Sequence, residues 1–227
     1  MEKEESFGLL PLPLNLNLPN GNNMLVHAAL LWDRDNLVLV DTGVPGQLDV
    51  IRGALGEAGF SLEQLTKIVI THQDRDHIGS LPELVQALEG RVEVLAHEAG
   101  VPYLSGEVPL IKSGVKADPV KVDVALQDGD ELPFGGGLQV VYTPGHTPDH
   151  ISLYHPSTKT LISGDALVSA NGIVQPPDPK FTPEYEQALE SVGKLAALDV
   201  KTVITYHGGA CTGQVRERLA DIAAGKY

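Results

Sequence analysis

Between Thr71 and Gly79 the chain reads THQDRDHIG, and four side chains able to ligate a metal, His72, Asp74, Asp76 and His77, fall within six residues. Three more clusters lie downstream: Thr143-Pro144-Gly145-His146-Thr147-Pro148, Ser163-Gly164-Asp165-Ala166 and Thr205-Tyr206-His207-Gly208-Gly209. Imidazole and carboxylate together form the common donor kit for zinc and iron. Each cluster follows a strand-like run and is flanked by Gly or Pro. A rigid element can therefore deliver each ligand, and the backbone can approach the site closely. A lone histidine at a strand end is ordinarily a packing residue; four such clusters in one chain call for a common explanation.

The elements that position these residues follow from apolar spacing and turn chemistry. Residues 9–23 (LLPLPLNLNLPNGNN) alternate apolar residues with Pro or Asn, which suits an extended edge segment. MLVHAALL (24–31) and LVLV (37–40), separated by Asp33-Arg34-Asp35-Asn36, predict a hairpin that ends in Asp41-Thr42-Gly43. A helix is expected over 47–58, closed by Gly59, and the buried strand KIVIT (67–71) delivers His72. A second helix covers 80–89, with Ser80 as N-cap, Pro82 in its first turn and Gly90 beyond its end. A strand over 91–97 leads into a 99–119 loop rich in Gly, Pro and Ser, whose length suits a lid. Strands follow at 120–126, 137–142, 150–155 and 160–163, then a helix at 183–197, a strand at 202–205 and a helix near 212–224. Residues 28–43 and 151–165 share one plan, a strand, a polar turn and a strand ending beside Asp or Gly. That repetition suggests two sheets packed face to face, with a shared edge where strand ends from both halves meet.

Length and composition narrow the class. At 227 residues, 42% hydrophobic and 20% charged, the chain has enough apolar material for a sizeable core, and it reads as one domain over 1–227. Its net charge of −14 repels phosphate backbones, so nucleic acid is not an expected partner. No apolar run approaches the roughly 18 residues of a membrane span. The start MEKEESFG lacks the basic and apolar regions of a secretory leader, and the single cysteine, Cys211, fits a reducing compartment; the expected location is cytoplasmic.

The order of these clusters resembles the metallo-β-lactamase superfamily, whose signature is His-x-His-x-Asp-His followed by a later His, an Asp and a His. The similarity runs from Asp41-Thr42-Gly43 to His207. It implies an α+β fold, an αββα four-layer sandwich, with a two-metal site at one edge. By resemblance His72 and His146 bind the first ion, Asp76, His77 and His207 the second, and Asp165 bridges. Asp41 would stand behind the ligands and fix their orientation, and His150 is placed there too rather than on a metal. One position departs from the signature: Asp74 stands where the family usually has its second His. Flavodiiron proteins, on the same fold, carry Glu there and hold iron. Asp74 either reaches the ion directly or acts through water, and its harder oxygen ligation moves preference from zinc toward iron or manganese. Two divalent ions are expected as cofactors, zinc first.

Such a pair of ions would lower the pKa of a bound water from about 15.7 toward roughly 7, giving hydroxide at neutral pH. The function this implies is a metal-dependent hydrolase opening an ester, thioester or lactone carbonyl of a small molecule, with Asp76 orienting the nucleophile and passing its proton to the leaving group. The alternative is an iron-dependent oxidoreductase on the same fold, and a third reading is a binding protein with a weakened first site. Tyr103 in the 99–119 loop and Phe181 after GIVQPPDPK are the candidate substrate contacts. The Tyr that lactonases of this family place shortly after the bridging Asp is missing, since Ala166, Leu167 and Val168 follow Asp165. The segment PLPLNLNL looks poorly satisfied alone, which makes a homodimer one arrangement to test.

Overall fold

The computed structural model describes residues 7–18 and 21–227. The first six residues, on which the leader reading partly rests, and positions 19 and 20 of the extended segment lie outside the described residues. One sheet is ordered β1-β2-β3-β4-β5-β6, from Gly8–Asn17, Asn23–Trp32, Leu37–Val40, Lys67–Ile70, Glu93–His97 and Val124–Leu126. A second, ordered β14-β13-β10-β9-β8-β7, is built from Glu131–Leu132 (β7), Leu138–Tyr142 (β8), Ile151–His155 (β9), Thr160–Gly164 (β10), Thr202–Thr205 (β13) and Gly209–Cys211 (β14). Val168–Ala170 (β11) and Ile173–Gln175 (β12) form a separate small hairpin. The helices are α1 (Leu48–Glu57), α2 (Arg75–Ile78), α3 (Leu81–Ala87), α4 (Val101–Leu104), α5 (Tyr185–Ala196) and α6 (Val215–Ala223).

The buried residues sort into three layers of core, which defines the αββα arrangement. Leu31, Val38, Val40 and Val69 of the first sheet meet Val140, Leu153, Ile162 and Ile204 of the second in the central layer. Ile68, Ile70 and Leu39, on the opposite face of the first sheet, pack with Ile51 and Leu55 of α1 and Leu81 and Leu84 of α3. Leu161 and Val203 of the second sheet pack with Val192 and Leu195 of α5 and Leu219 and Ile222 of α6. Strands covered on both faces have no exposed face, so LVLV and TLISG are buried at every position rather than alternately.

The repeated plan is visible in the sheets. Each half has an antiparallel hairpin, β2–β3 or β9–β10, whose second strand pairs in parallel with the next, β4 or β13. β1 is an edge strand paired with β2 along its whole length, and Leu12, Leu14 and Leu16 turn inward. Pro11 and Pro13, of one parity, remove two donors from the open edge, a device that discourages pairing with another chain. The segment whose apparent lack of partners motivated a dimer is therefore satisfied within the chain. Helix α3 is shorter than the 80–89 expected, and the Ser80 hydroxyl does not cap it. It donates instead to the Val44 carbonyl and accepts from the Gln47 N–H, tying the loop after Asp41 to the helix. Among the described residues no helix is long and apolar enough to cross a membrane.

Candidate metal centre

All four clusters converge where the ends of β3, β4 and β10 meet the loops after β8 and β13. Three trios of donor atoms lie within 4.8 Å of one another: His72, Asp74 and His146; His72, His77 and Asp165; and Asp76, His77 and His207. Asp165 stands between the outer trios. Its Oδ1 is 3.4 Å from His77 Nε2, and its Oδ2 is 3.3 Å from His146 Nε2 and 3.4 Å from His207 Nε2. Asp74 Oδ2 lies 3.0 Å from His146 Nε2 and 3.2 Å from His72 Nε2, so the residue that departs from the family signature joins the first trio.

The hydrogen bonds behind these atoms fix which ring nitrogen each histidine presents. Asp41 accepts from the Thr71 N–H, the Thr71 hydroxyl and His77 Nδ1, each at 2.8 Å. Because the Thr71 hydroxyl donates to Asp41, its oxygen is left to accept from His72 Nδ1 at 3.0 Å. The Thr182 hydroxyl donates to the Asp178 carbonyl and accepts from His146 Nδ1 at 3.2 Å. Nε2 of all three rings is therefore the nitrogen turned toward the centre. His72 Nε2, His77 Nε2 and Asp165 Oδ1 are buried with no hydrogen-bond partner among the described residues. Buried lone pairs left without a donor are costly unless a cation satisfies them. The donor set fits divalent ions of the zinc, iron and manganese group.

His150 plays a different part. Its Nδ1 faces the Thr143 hydroxyl at 2.8 Å, and its Nε2 accepts the Asp165 N–H at 3.0 Å. Burial, reinforced by His72 and His146, holds it well below the usual histidine range, so it stays neutral and grips the backbone of the central carboxylate. Tyr206, fully buried, packs its ring against His77 at a tilt of 34° with ring centres 3.8 Å apart and donates its hydroxyl to the Asp76 carbonyl. Gly145 and Gly208, next to two of the histidines, have φ of +129° and +117°. A Cβ there would come within 2.3 Å of Ala188 N and 2.0 Å of Ser169 O, so no side chain fits either turn.

A cleft of about 820 Å³ opens on the centre, lined by Asp74, Asp76, His146, Asp165 and His207 and by Met24, Leu25, Val168 and Phe181. Phe181 lines the cleft. Tyr103 does not: it sits on α4, where the chain turns inward, and packs beside Leu104 against the core under the first sheet. The 99–119 loop lines the cleft through Leu110, Lys112 and Ser113 instead. Lys112, which sequence reading overlooked, is 2.5 Å from Asp74 Oδ2 and 2.6 Å from His146 Nε2. Among the other histidines, His97 stacks on Tyr142 at 4.3 Å, and His155 bonds Thr158 and the Gly135 carbonyl, both as packing groups.

The charges are arranged for cations. Burial would raise the Asp74 carboxyl, but His72, His146 and the Lys112 ammonium hold it well below the usual carboxylate range. Burial likewise opposes protonation of His207, yet hydrogen bonds to Asp165 and Asp76 raise it to about 9. An ion at the Asp76–His77–His207 trio must displace that proton. Metal binding there is expected to release at least one proton below pH 9 and to tighten by about tenfold per pH unit as pH rises toward it. Calorimetry at pH 7 in two buffers of different ionisation enthalpy measures this; equal heats in both would refute it.

A pair of stacked sheets with helices outside, carrying a His and Asp donor set where strand ends of both halves meet, defines a class of metal-binding proteins. Residues 21–207 match the family model of the metallo-β-lactamase superfamily, and the chain belongs to that superfamily. It is 34% identical to the "Probable metallo-hydrolase YflN" of Bacillus subtilis over 221 residues, covering 83% of this chain and 81% of that protein. It is 35% identical to a hydroxyacylglutathione hydrolase of Rhodopseudomonas palustris, covering 70% of this chain but only 54% of that enzyme. A metallo-β-lactamase family protein from Thermus thermophilus superimposes with a TM-score of 0.72 at 24% identity, covering 96% of this chain and 79% of that one, a likeness of fold.

Proposed function

We propose that the chain is a single-domain, cytoplasmic metallo-hydrolase that opens an ester, thioester or lactone carbonyl of a small molecule, using two divalent ions, zinc first. The observation that carries the reading is the convergence of four histidines and three aspartates, with orphaned lone pairs, at the floor of a largely apolar cleft. The relatives named as metallo-hydrolase and hydroxyacylglutathione hydrolase support hydrolysis, while the unmatched part of the latter leaves its substrate unassigned here.

His72, Asp74 and His146 would hold one ion and Asp76, His77 and His207 the other, with Asp165 shared. Ions held there would supply a water ionised near neutral pH and an electrophile for the carbonyl. The chain's own residues do the rest. Asp76 faces the cleft, its side chain 29% exposed with Oδ2 3.2 Å from His207 Nε2, placed to hold a proton and hand it to a leaving group. The Tyr206 hydroxyl anchors the Asp76 backbone, so the carboxylate works from a fixed base. Leu25 and Phe181, each more than half exposed at the rim, offer an apolar wall to an acyl chain or ring.

The test pairs elemental analysis of protein grown with zinc, iron and manganese together with a panel of aryl esters, thioesters and lactones. Metal-dependent turnover of at least one class is expected. Iron with oxygen consumption and no hydrolysis would establish the oxidoreductase alternative, for which the oxygen donor Asp74 in the first trio is the supporting observation. Ligand binding without turnover under any metal would overturn both.

A further inference from the structure

The first trio already has a cation of its own. The Lys112 ammonium lies 2.5 Å from Asp74 Oδ2 and 2.6 Å from His146 Nε2, two of the three atoms that face one another in the His72–Asp74–His146 trio. With Nδ1 of the neutral His146 ring donating to Thr182, Nε2 is the accepting nitrogen, and the lone pair an ion would use faces an N–H of the lysine. A lysine and a metal ion cannot both use those atoms.

The placement is built rather than incidental. Lys112 stands at the tip of a turn closed by the Gly114 N–H to the Leu110 carbonyl and the Leu110 N–H to the Val115 carbonyl. One residue before it, the Ile111 N–H donates to Gln73 Oε1 at 2.7 Å, and Gln73 Nε2 donates to Asp149 Oδ1 at 3.1 Å. Gln73 is wholly buried and lies between His72 and Asp74 in the chain, so the motif itself holds the loop that brings the lysine. The attachment is slender. Leu110 is buried, but Ile111 and Val115 are about half exposed, and a second cavity of about 190 Å³ lies against the loop, lined by Leu104, Leu110, Val115 and Val120 among others. A segment with few buried apolar contacts opens at low cost.

We propose that Lys112 is a resident cation of the first half-site, so that the His72–Asp74–His146 trio takes an ion only when the loop carrying Lys112 lifts away. The two half-sites are then unequal by construction. Among the described residues no lysine or arginine side chain is hydrogen-bonded or ion-paired to the donor atoms of the Asp76–His77–His207 trio; an ion there displaces only a proton, with no movement of a loop, and that trio fills first. Filling of the first trio is coupled to the loop that walls the cleft, so its occupancy and the access of substrate change together. The inference rests on the reading of the centre as a two-ion site.

Two measurements on the full chain test it, neither of them an activity. Chelator-buffered zinc titration of the purified protein is expected to show one tight ion and a second bound at least about tenfold more weakly. Lys112→Met, which keeps the apolar stem and removes the charge, should tighten the second ion by about 10–100-fold and leave the first unchanged. Hydrogen exchange of the Ile111 amide should quicken on addition of the second equivalent of zinc but not the first, because its bond to Gln73 breaks as the loop lifts. A second-ion affinity unchanged in Lys112→Met, with Ile111 exchange indifferent to zinc, would overturn the proposal while leaving the two-ion reading intact. Zinc bound at no stoichiometric site would overturn the two-ion reading itself.

Discussion

Asp165→Ala is expected to empty both half-sites and to lower kcat/KM by at least roughly a thousandfold, or about 4 kcal/mol of transition-state stabilisation. Among the described residues no other side chain approaches histidines of both outer trios so closely: one carboxylate oxygen faces His77, the other His146 and His207. Removing it leaves three imidazoles around a hole with a single carboxylate on either side, and the charge that draws divalent ions inward is lost. The fold should survive. Burial would push this carboxyl up, and it is held far down only by His77 and His207 around it, so its charge serves the centre and not the core. His150 grips the backbone at this position, a hydrogen bond that the substitution leaves in place. Elemental analysis, with circular dichroism to confirm the fold, checks the result. Retention of two ions per chain with full turnover would remove Asp165 from the centre.

The convergent His and Asp residues were legible in sequence because each is tied to a local signal, a strand end followed by a small residue or a turn. Four of the seven lie in one nine-residue stretch. The internal repeat adds a reason for their convergence: Asp41 and Asp165 follow equivalent strands β3 and β10, and His72 and His207 follow β4 and β13. Packing two such halves face to face sets these four strand ends at one edge. In the first half the Asp became a support that orients Thr71 and His77; in the second it faces His77, His146 and His207.

What could not be read locally depends on long-range placement. Lys112 sits in a stretch with no periodicity, and its partners are 38 and 34 residues away. Nothing near it in the chain distinguishes it from a solvated lysine. Tyr103 misled for the converse reason: an aromatic in a long loop suits a lid, but Val101-Pro102-Tyr103-Leu104 coils into a short helix and turns its ring to the core. The hairpin β11–β12 and strand β14 are three residues long or shorter per strand, too brief for alternation to show. Helix α2 has the same difficulty, four residues whose first turn is closed by the Asp74 carbonyl accepting from the His77 and Ile78 N–H groups.

The second large effect separates holding an ion from moving a proton. Asp76→Asn is nearly isosteric and keeps a donor oxygen, so the backbone carbonyl that receives the Tyr206 hydroxyl and the contact with His207 can both persist. What goes is the capacity to take a proton and give it back. Positioned proton transfer contributes about 10²–10⁴ in rate, and kcat is expected to fall by that much while KM moves little. Metal content is measured on the same sample, and the comparison is made per bound ion. A loss that vanishes on this normalisation would make Asp76 a ligand only. A loss that persists, greatest for esters with poor leaving groups and smallest for activated aryl esters, identifies proton delivery to the departing oxygen, because a good leaving group needs no proton to depart.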